Sequence, residues 1–155
     1  MPAISAGIVL FRRRAGRVDV FLVHPGGPFW ASKDEAGWSI PKGLADAGEE
    51  HEAAARREFA EEVGAVPGGA LLPLGSFRQS GGKTIVAFAL EGEFDPAALQ
   101  SNTTEIVWPP RSGRTLTIPE IDRAGWFDLE TAAHKLHLGQ RPILAALRGR
   151  LGGND

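Results

Sequence analysis

Apolar residues along this chain follow two rhythms, one suited to strands and one to helices. Ile4–Phe11 (ISAGIVLF) is β-branched and almost wholly apolar, the pattern of a strand buried on both faces. Arg12-Arg13-Arg14-Ala15-Gly16-Arg17 reads as a charged, solvated hairpin turn, and Val18–His24 (VDVFLVH) as the second strand. Beyond Pro25-Gly26-Gly27 a long loop, Pro28–Gly37, carries Phe29 and Trp30, and Trp38-Ser39-Ile40 predicts a short strand. The period then changes. Ala55, Phe59 and Val63 recur at i, i+4 and i+8, the buried stripe of a helix that ends at Gly64, with Pro67-Gly68-Gly69 breaking the chain after it.

Leu71–Gln79 and Lys83–Glu91 predict two strands around Ser80-Gly81-Gly82. Thr84–Leu90 (TIVAFAL), the most hydrophobic of them, is expected at the centre of the sheet. Phe94–Gln100 is a polar connection, Thr103–Trp108 one more strand, and Pro109–Thr117 a basic loop with Arg111 and Arg114. Asp128 is placed to cap a helix through Ala132, Ala133 and Leu136. Pro142 suits the first turn of a last helix with Leu144, Leu147 and Leu151 on one face. Strands and helices in this order predict an α/β chain, a mixed sheet between helices.

Composition narrows the class. A length of 155 residues suits one domain over 1–155, and ordinary apolar and charged content suits a soluble globular protein. A net charge of −2 gives no general attraction for nucleic acid, so any nucleotide must be held by a local site. The absence of cysteine excludes disulfides, thiolate metal sites and thiol catalysis. No apolar run reaches membrane-spanning length and the N-terminus lacks a signal pattern, so no membrane partner is expected and the cytoplasm is the default location. Nothing in the sequence marks an oligomeric state.

The chemistry concentrates in Gly43–Ala65. Arg57-Glu58-Phe59-Ala60-Glu61-Glu62 sets three carboxylates at i, i+3 and i+4, on one helical face apart from the apolar stripe. On spacing alone a solvated acidic face, with Arg57 pairing Glu61, is favoured over a metal site. The preceding Pro41-Lys42-Gly43 and Asp46-Ala47-Gly48-Glu49 change the balance: a glycine-punctuated loop runs straight into the acidic helix, and bare backbone there can approach a ligand. Oxygen donors without Cys or a His cluster suit a hard ion, Mg²⁺ or Mn²⁺. Lys42 would neutralise phosphate as a point charge. Trp30 and Trp38 are candidates to stack on a base, with a core role the alternative for Trp38. His24 is read as structural or exposed.

Gly43, then five residues, Glu49, then seven residues, then Arg57-Glu58-Phe59-Ala60-Glu61-Glu62-Val63-Gly64-Ala65 resembles the Nudix box of the Nudix (MutT-like) hydrolases. Every polar and glycine position matches, and only Ala65 stands where the family usually has a larger aliphatic residue. The resemblance implies the Nudix α/β/α sandwich and hydrolysis of a phosphoanhydride bond in a nucleoside diphosphate linked to another group. It implies Glu58, Glu61, Glu62 and the Gly43 carbonyl as metal ligands, with Arg57 and Glu49 orienting the carboxylates. The base varies between subfamilies, leaving Glu61 and Glu120 as candidates. Glu120, ahead of Trp126-Phe127 in a segment similar to one in many Nudix proteins, is also the first choice for a further ligand, with Glu105 second.

The Trp38-Ser39-Ile40-Pro41-Lys42-Gly43 entrance is similar to that of dinucleoside polyphosphate hydrolases and some MutT relatives. Markers downstream differ. The chain has no Tyr, Phe77–Thr84 has no Pro, and Leu44 replaces the His or Glu that commonly follows. The expected substrate is a dinucleoside polyphosphate or (d)NTP, with nucleic acid only as a 5′-end substrate. A catalytically silent module that binds nucleotide or RNA is the competing expectation.

Overall fold

The computed structural model describes residues 3–65 and 68–152, so Pro67, part of the expected break after the helix, lies outside the described residues. Strands β1 (Ile4–Arg14) and β2 (Arg17–Pro25) form an antiparallel hairpin. Its turn is Ala15-Gly16 alone, both at positive φ (50° and 78°), the two-residue geometry that matches strand twist. The arginine run is therefore strand and not turn. Arg12 stays extended because it finds partners along the ribbon: Asp19 at 3.5 Å, Glu93 at 3.1 Å, and the Trp126 ring 4.2 Å below its guanidinium.

The main sheet runs β4-β5-β1-β2-β8, with β4 at Leu72–Arg78, β5 at Thr84–Glu91 and β8 at Ile121–Asp128. The β1–β5 pairing is parallel and the others antiparallel, so the sheet is mixed. The hydrophobic Thr84–Leu90 segment is interior, but the middle strand is β1. A short strand, β3 (Lys42–Leu44), also pairs with β1 at Ser5–Gly7, below the stretch where β2 pairs with Phe11–Arg14. The predicted strand at Trp38-Ser39-Ile40 forms no continuous ladder. Ser39 bridges Val23, Trp38 bridges Leu136, and the Ile40 N–H goes to the Gln140 side chain at 3.0 Å. Backbone groups shared among three neighbours cannot propagate a ladder.

Alternation along β1 builds two cores. Ala6, Ile8 and Leu10 join Phe21 and Val23 beneath Ala54, Ala55, Phe59 and Val63 of α1 (His51–Val63). Val9 and Phe11 join Val20, Leu22, Ile85 and Ala87 on the other face, under α2 (Leu129–Lys135) and α3 (Arg141–Arg150). That is an α/β/α sandwich. The Asp128 side chain accepts from the Thr131 N–H at 2.7 Å, capping α2, and Pro142 lies in the first turn of α3. Leu144 and Leu147 are buried, and Leu151 follows the last turn, partly buried against the same core.

Beside the sandwich stands a two-stranded hairpin, β6 (Thr103–Val107) with β7 (Thr115–Pro119). Thr115–Thr117, expected in a loop, is strand because its three residues find register partners in Val107, Ile106 and Glu105 of β6. No helix among the described residues is long and apolar enough to cross a membrane.

Candidate active site

Helix α1 begins after Glu50 and ends at Gly64, whose φ of 95° is the left-handed cap that lets its N–H return to the Ala60 carbonyl at 2.8 Å. Between these ends Arg57 occupies the centre of the acidic face. Its Nε and Nη2 donate to both oxygens of Glu49 at 2.9 and 3.0 Å, and Nη2 also donates to the Leu44 carbonyl at 2.9 Å. Nη1 donates to Glu58 and Glu61, each at 2.8 Å. Every N–H of the guanidinium is used, which is the reason an arginine rather than a lysine suits this place. Glu49 also accepts the Asp46 N–H at 2.8 Å. Arg57 first, then that backbone N–H, pull the Glu49 carboxyl down to about 2. The guanidinium, held chiefly by Glu49, is pushed still higher than its ordinary value.

Glu62 and Glu58 behave in the opposite sense. Glu62 is only 7% exposed, and burial pushes its carboxyl up to about 7 against the pull of Lys42. The Lys42 N–H reaches a Glu62 oxygen at 3.3 Å, while Glu58 and Glu120 add repulsion. Glu62 therefore shares the packed side of the helix, which corrects the expectation that core and carboxylate faces are separate. Its position just before Val63 sets it at the rim of the stripe. Burial, with repulsion from Glu61, raises Glu58 too, although Arg57 opposes the shift. Gly43 lies directly against the Glu58 carboxyl, and a Cβ there would collide with it.

Glu120 is the single residue between β7 and β8. Its N–H donates to the Asn102 carbonyl at 2.8 Å, and the Asn102 N–H donates to the Glu61 carbonyl at 2.9 Å, which ties this corner to the end of α1. Burial first and then Glu61 raise the Glu120 carboxyl. Glu120 thus joins the acidic group in space. Glu105 does not: it is exposed on β6, paired with Thr117 in the outlying hairpin.

Among the described residues no three acidic or imidazole side chains converge closely enough to form a ready-made ion site, because Arg57 holds one oxygen each of Glu58 and Glu61. The donor set nevertheless suits a hard divalent ion. It is all oxygen, and Glu58 and Glu62 are pushed toward protonation first by burial and then by neighbouring carboxylates, the two penalties that a cation offsets.

On the opposite side of Gly43 opens a cleft of about 940 Å³. Lys42, Gly43 and Leu44 form one wall, and Trp30, Gln79, Lys83 and His137 line the rest. Trp30 is half-buried, its ring 5.3 Å from that of His137 and 5.0 Å from that of Phe29. Trp38 is elsewhere. At 5% exposure it packs on His24 and Phe127 and donates Nε1–H to Asp34 at 2.9 Å, so it has no face left for a base, and the expectation of a substrate contact there is corrected. His24 is fully buried between Asp122 and the Lys33 carbonyl, a structural role. Gln79, Lys83 and His137 are cleft residues that sequence reasoning missed. Each is a lone polar residue outside any motif, brought to the cleft by tertiary structure alone.

A family model described as NUDIX domain matches residues 1–147. A comparison of the sequence with curated proteins gives no significant match. Among solved structures, the chain is similar to the NUDIX domain of Shewanella oneidensis NrtR complexed with ADP ribose: TM-score 0.68, 20% identity, covering 97% of this chain and 89% of that one. It is also similar to a C. elegans Ap4A hydrolase in a binary complex, with TM-score 0.66 and 23% identity over 97% of this chain and 98% of that one. A mutT/nudix family protein from Listeria innocua aligns at TM-score 0.64 and 20% identity over 99% of this chain and 96% of that one. At such identities the structural likeness speaks for the fold, and the family match together with the intact arginine-centred acidic box establishes that this chain belongs to the Nudix family.

Proposed function

We propose that the chain is a single-domain, metal-dependent pyrophosphohydrolase that cleaves a phosphoanhydride bond in a nucleoside diphosphate-linked substrate. The observation that carries this reading is the arginine-centred box. Arg57 fixes Glu49, Glu58 and Glu61 around a buried Glu62, and Gly43, which lies against Glu58, also walls the cleft together with Lys42. Nudix hydrolases generally use divalent ions. Here Glu58, Glu61, Glu62 and the Gly43 carbonyl would hold Mg²⁺ or Mn²⁺, which when bound screens diphosphate charge and acidifies water.

The remaining work falls to the chain's own groups. Lys42 neutralises phosphate charge at the cleft wall, Trp30 offers a ring to the nucleoside, and Glu49 holds Arg57 so that Glu58 and Glu61 keep their aim. Either Glu61 or Glu120 accepts the proton from the attacking water. The raised carboxyl of Glu120 and its separation from Arg57 favour Glu120 for that role.

Within this class we favour a dinucleoside polyphosphate or (d)NTP as substrate. The Trp38–Gly43 entrance supports it, and so does the likeness to a protein described as an Ap4A hydrolase. A nucleotide-binding module without turnover is the second reading, motivated by the likeness to NrtR, another of whose structures is described as complexed with a 27mer DNA.

The test is incubation with diadenosine polyphosphates, normal and oxidised dNTPs, ADP-ribose, NADH and capped RNA, with Mg²⁺ or Mn²⁺, and chromatography of the products. Turnover that disappears on chelation and in Glu61→Gln or Glu62→Gln, with the fold intact, supports the enzyme. Nucleotide binding with no product from any compound overturns it in favour of the module.

A further inference from the structure

Two side chains that line the cleft are each held through a nitrogen by carbonyl oxygen, which leaves each with an acceptor that has no partner among the described residues. His137 Nδ1 lies 2.9 Å from the Ala36 carbonyl. A carbonyl only accepts, so Nδ1 carries the proton, and in the neutral ring Nε2 is left with its lone pair. Burial, with Lys42 and His24 nearby, disfavours the charged ring, although the Ala36 bond opposes this. No protein donor among the described residues meets Nε2. Gln79 is fixed by a comparable argument. Its Nε2 sits 2.8 Å from the Gly139 carbonyl, 3.1 Å from that of Arg78 and 3.2 Å from that of Phe77. Three carbonyls around one end of the amide identify that end as the NH₂, so the other, Oε1, is the acceptor and has no partner among the described residues.

The two residues are mechanically linked. Gly139, which holds Gln79, is two residues from His137 in the Leu138–Gln140 turn, and the Gln140 N–H closes that turn on the His137 carbonyl at 2.9 Å. A Cβ at Gly139 would meet Gln79 Oε1 at 2.5 Å, the free end of a flexible side chain, so a methyl there displaces the amide at little expense to the fold. The turn itself is anchored by Gln140, which is 2% exposed, accepts the Ile40 N–H at 3.0 Å and donates to Ser39 at 2.9 Å. Trp30, against the His137 ring, supplies an aromatic face beside the acceptors. Lys42 and Lys83 place positive charge elsewhere on the lining.

We infer that His137 and Gln79 form a reader for the exocyclic amino group of a nucleobase, and that the base bound beside Trp30 is an aminopurine of the adenine type. The inference rests on reading this cleft as a nucleotide site. Adenine's 6-amino group brings two hydrogens to a place that offers lone pairs. Hypoxanthine is nearly the same in shape but puts a carbonyl oxygen there, setting acceptor against acceptor. A polar group left facing the wrong partner in a desolvated pocket discriminates more strongly than a change of apolar volume.

The test is direct binding of adenosine monophosphate and inosine monophosphate, measured by calorimetry on the full chain without divalent ions, so that it does not depend on turnover. The wild type is expected to bind the adenosine nucleotide at least about tenfold more tightly, the value of one well-placed hydrogen bond. His137→Phe keeps a ring but has no acceptor, and Gly139→Ala moves Gln79. Each is expected to bring the ratio toward one. Trp30→Ala is expected to weaken both ligands and leave the ratio close to that of the wild type. Equal wild-type affinities, no binding of either nucleotide, or a ratio unchanged in both His137→Phe and Gly139→Ala overturns the inference. Hydrolysis of the substrate panel without adenine preference would leave the proposed function standing while the reader falls. Adenine preference without hydrolysis would do the reverse.

Discussion

An ionised Glu62 at pH 8 sits in a place that leaves it 7% exposed, with Glu58 and Glu120 repelling it. Its carboxyl titrates near 4.5 in an unfolded chain and near 7 in the fold. Between those values the folded state holds the extra proton, so stability falls as pH rises through that window. Above it the loss is on the order of 3 kcal/mol. Glu62→Gln removes the penalty and keeps an oxygen for the Lys42 N–H. In urea titrations without divalent ions, the variant is expected to be more stable than wild type at pH 8 by that order, and nearly equal to it at pH 4.5. A gap of the same size at both pH values refutes the account. Turnover should meanwhile fall by about a hundredfold or more, because a carboxylate serving the transition state is gone. Arg57→Lys tests the neighbouring claim. The guanidinium is one-third exposed, so stability should change by no more than about 1 kcal/mol. A single ammonium cannot hold Glu49, Glu58 and Glu61 together, and kcat should fall by roughly ten- to a hundredfold. Wild-type kcat in Arg57→Lys would show that the carboxylates aim themselves.

At the level of elements, the contact of β3 with α1 depends on a glycine having no side chain. Gly43→Ala is expected to leave the fold nearly intact, since the colliding atoms are the mobile end of Glu58, yet to remove activity by turning that carboxylate away. A crystal structure of the variant would display the moved side chain, and full activity would sink the claim. Gly64→Ala should behave differently. It is left-handed at φ 95° and its Cβ would meet the Gln100 backbone oxygen at 2.7 Å, so a cost of about 1–3 kcal/mol is expected on denaturation.

The same local-versus-distant distinction decides which elements are legible in the sequence. The α1 helix, its buried stripe and its glycine end are readable because period and cap are local properties. The paired strands around Ser80-Gly81-Gly82 are readable for the same reason. Trp38–Ile40 is not, because its backbone partners lie at Val23, Leu136 and Gln140, which no local pattern announces. Arg12–Arg14 misleads because charge suggests a turn, whereas a ribbon end leaves room for extended arginines, with Arg12 over Trp126 and beside Asp19. The box is legible from its spacing, but the cleft is not: Gln79 and His137 come together from distant parts of the chain and carry no motif.

For the whole molecule, the two layers of helices divide the labour. The α1 face carries the carboxylates, and the loops near α2 and α3 build the cleft. Divalent ion should therefore couple to global stability through the acidic face. At pH 8, saturating Mg²⁺ or Mn²⁺ is expected to raise Tm by several degrees, because an ion bound only by the folded state stabilises it. At pH 5, where Glu62 is protonated in the fold, the rise should largely vanish. Equal shifts at the two pH values would argue for an ion bound away from Glu62.

The sheet's middle strand leaves the ribosome well before the strand that pairs in parallel with it. Once β2 has emerged, β1 has one neighbour at hand, but its other edge stays bare until Thr84–Glu91 arrives to pair in parallel with it. For that interval the nascent protein presents an unpaired apolar edge, ISAGIVLF, of the sort that recruits stray strands. The cleft waits longer still, since its wall is incomplete until His137 has been made. Birth order thus sets a sequence of hazards and completions: hairpin first, closed sheet later, the cleft after both.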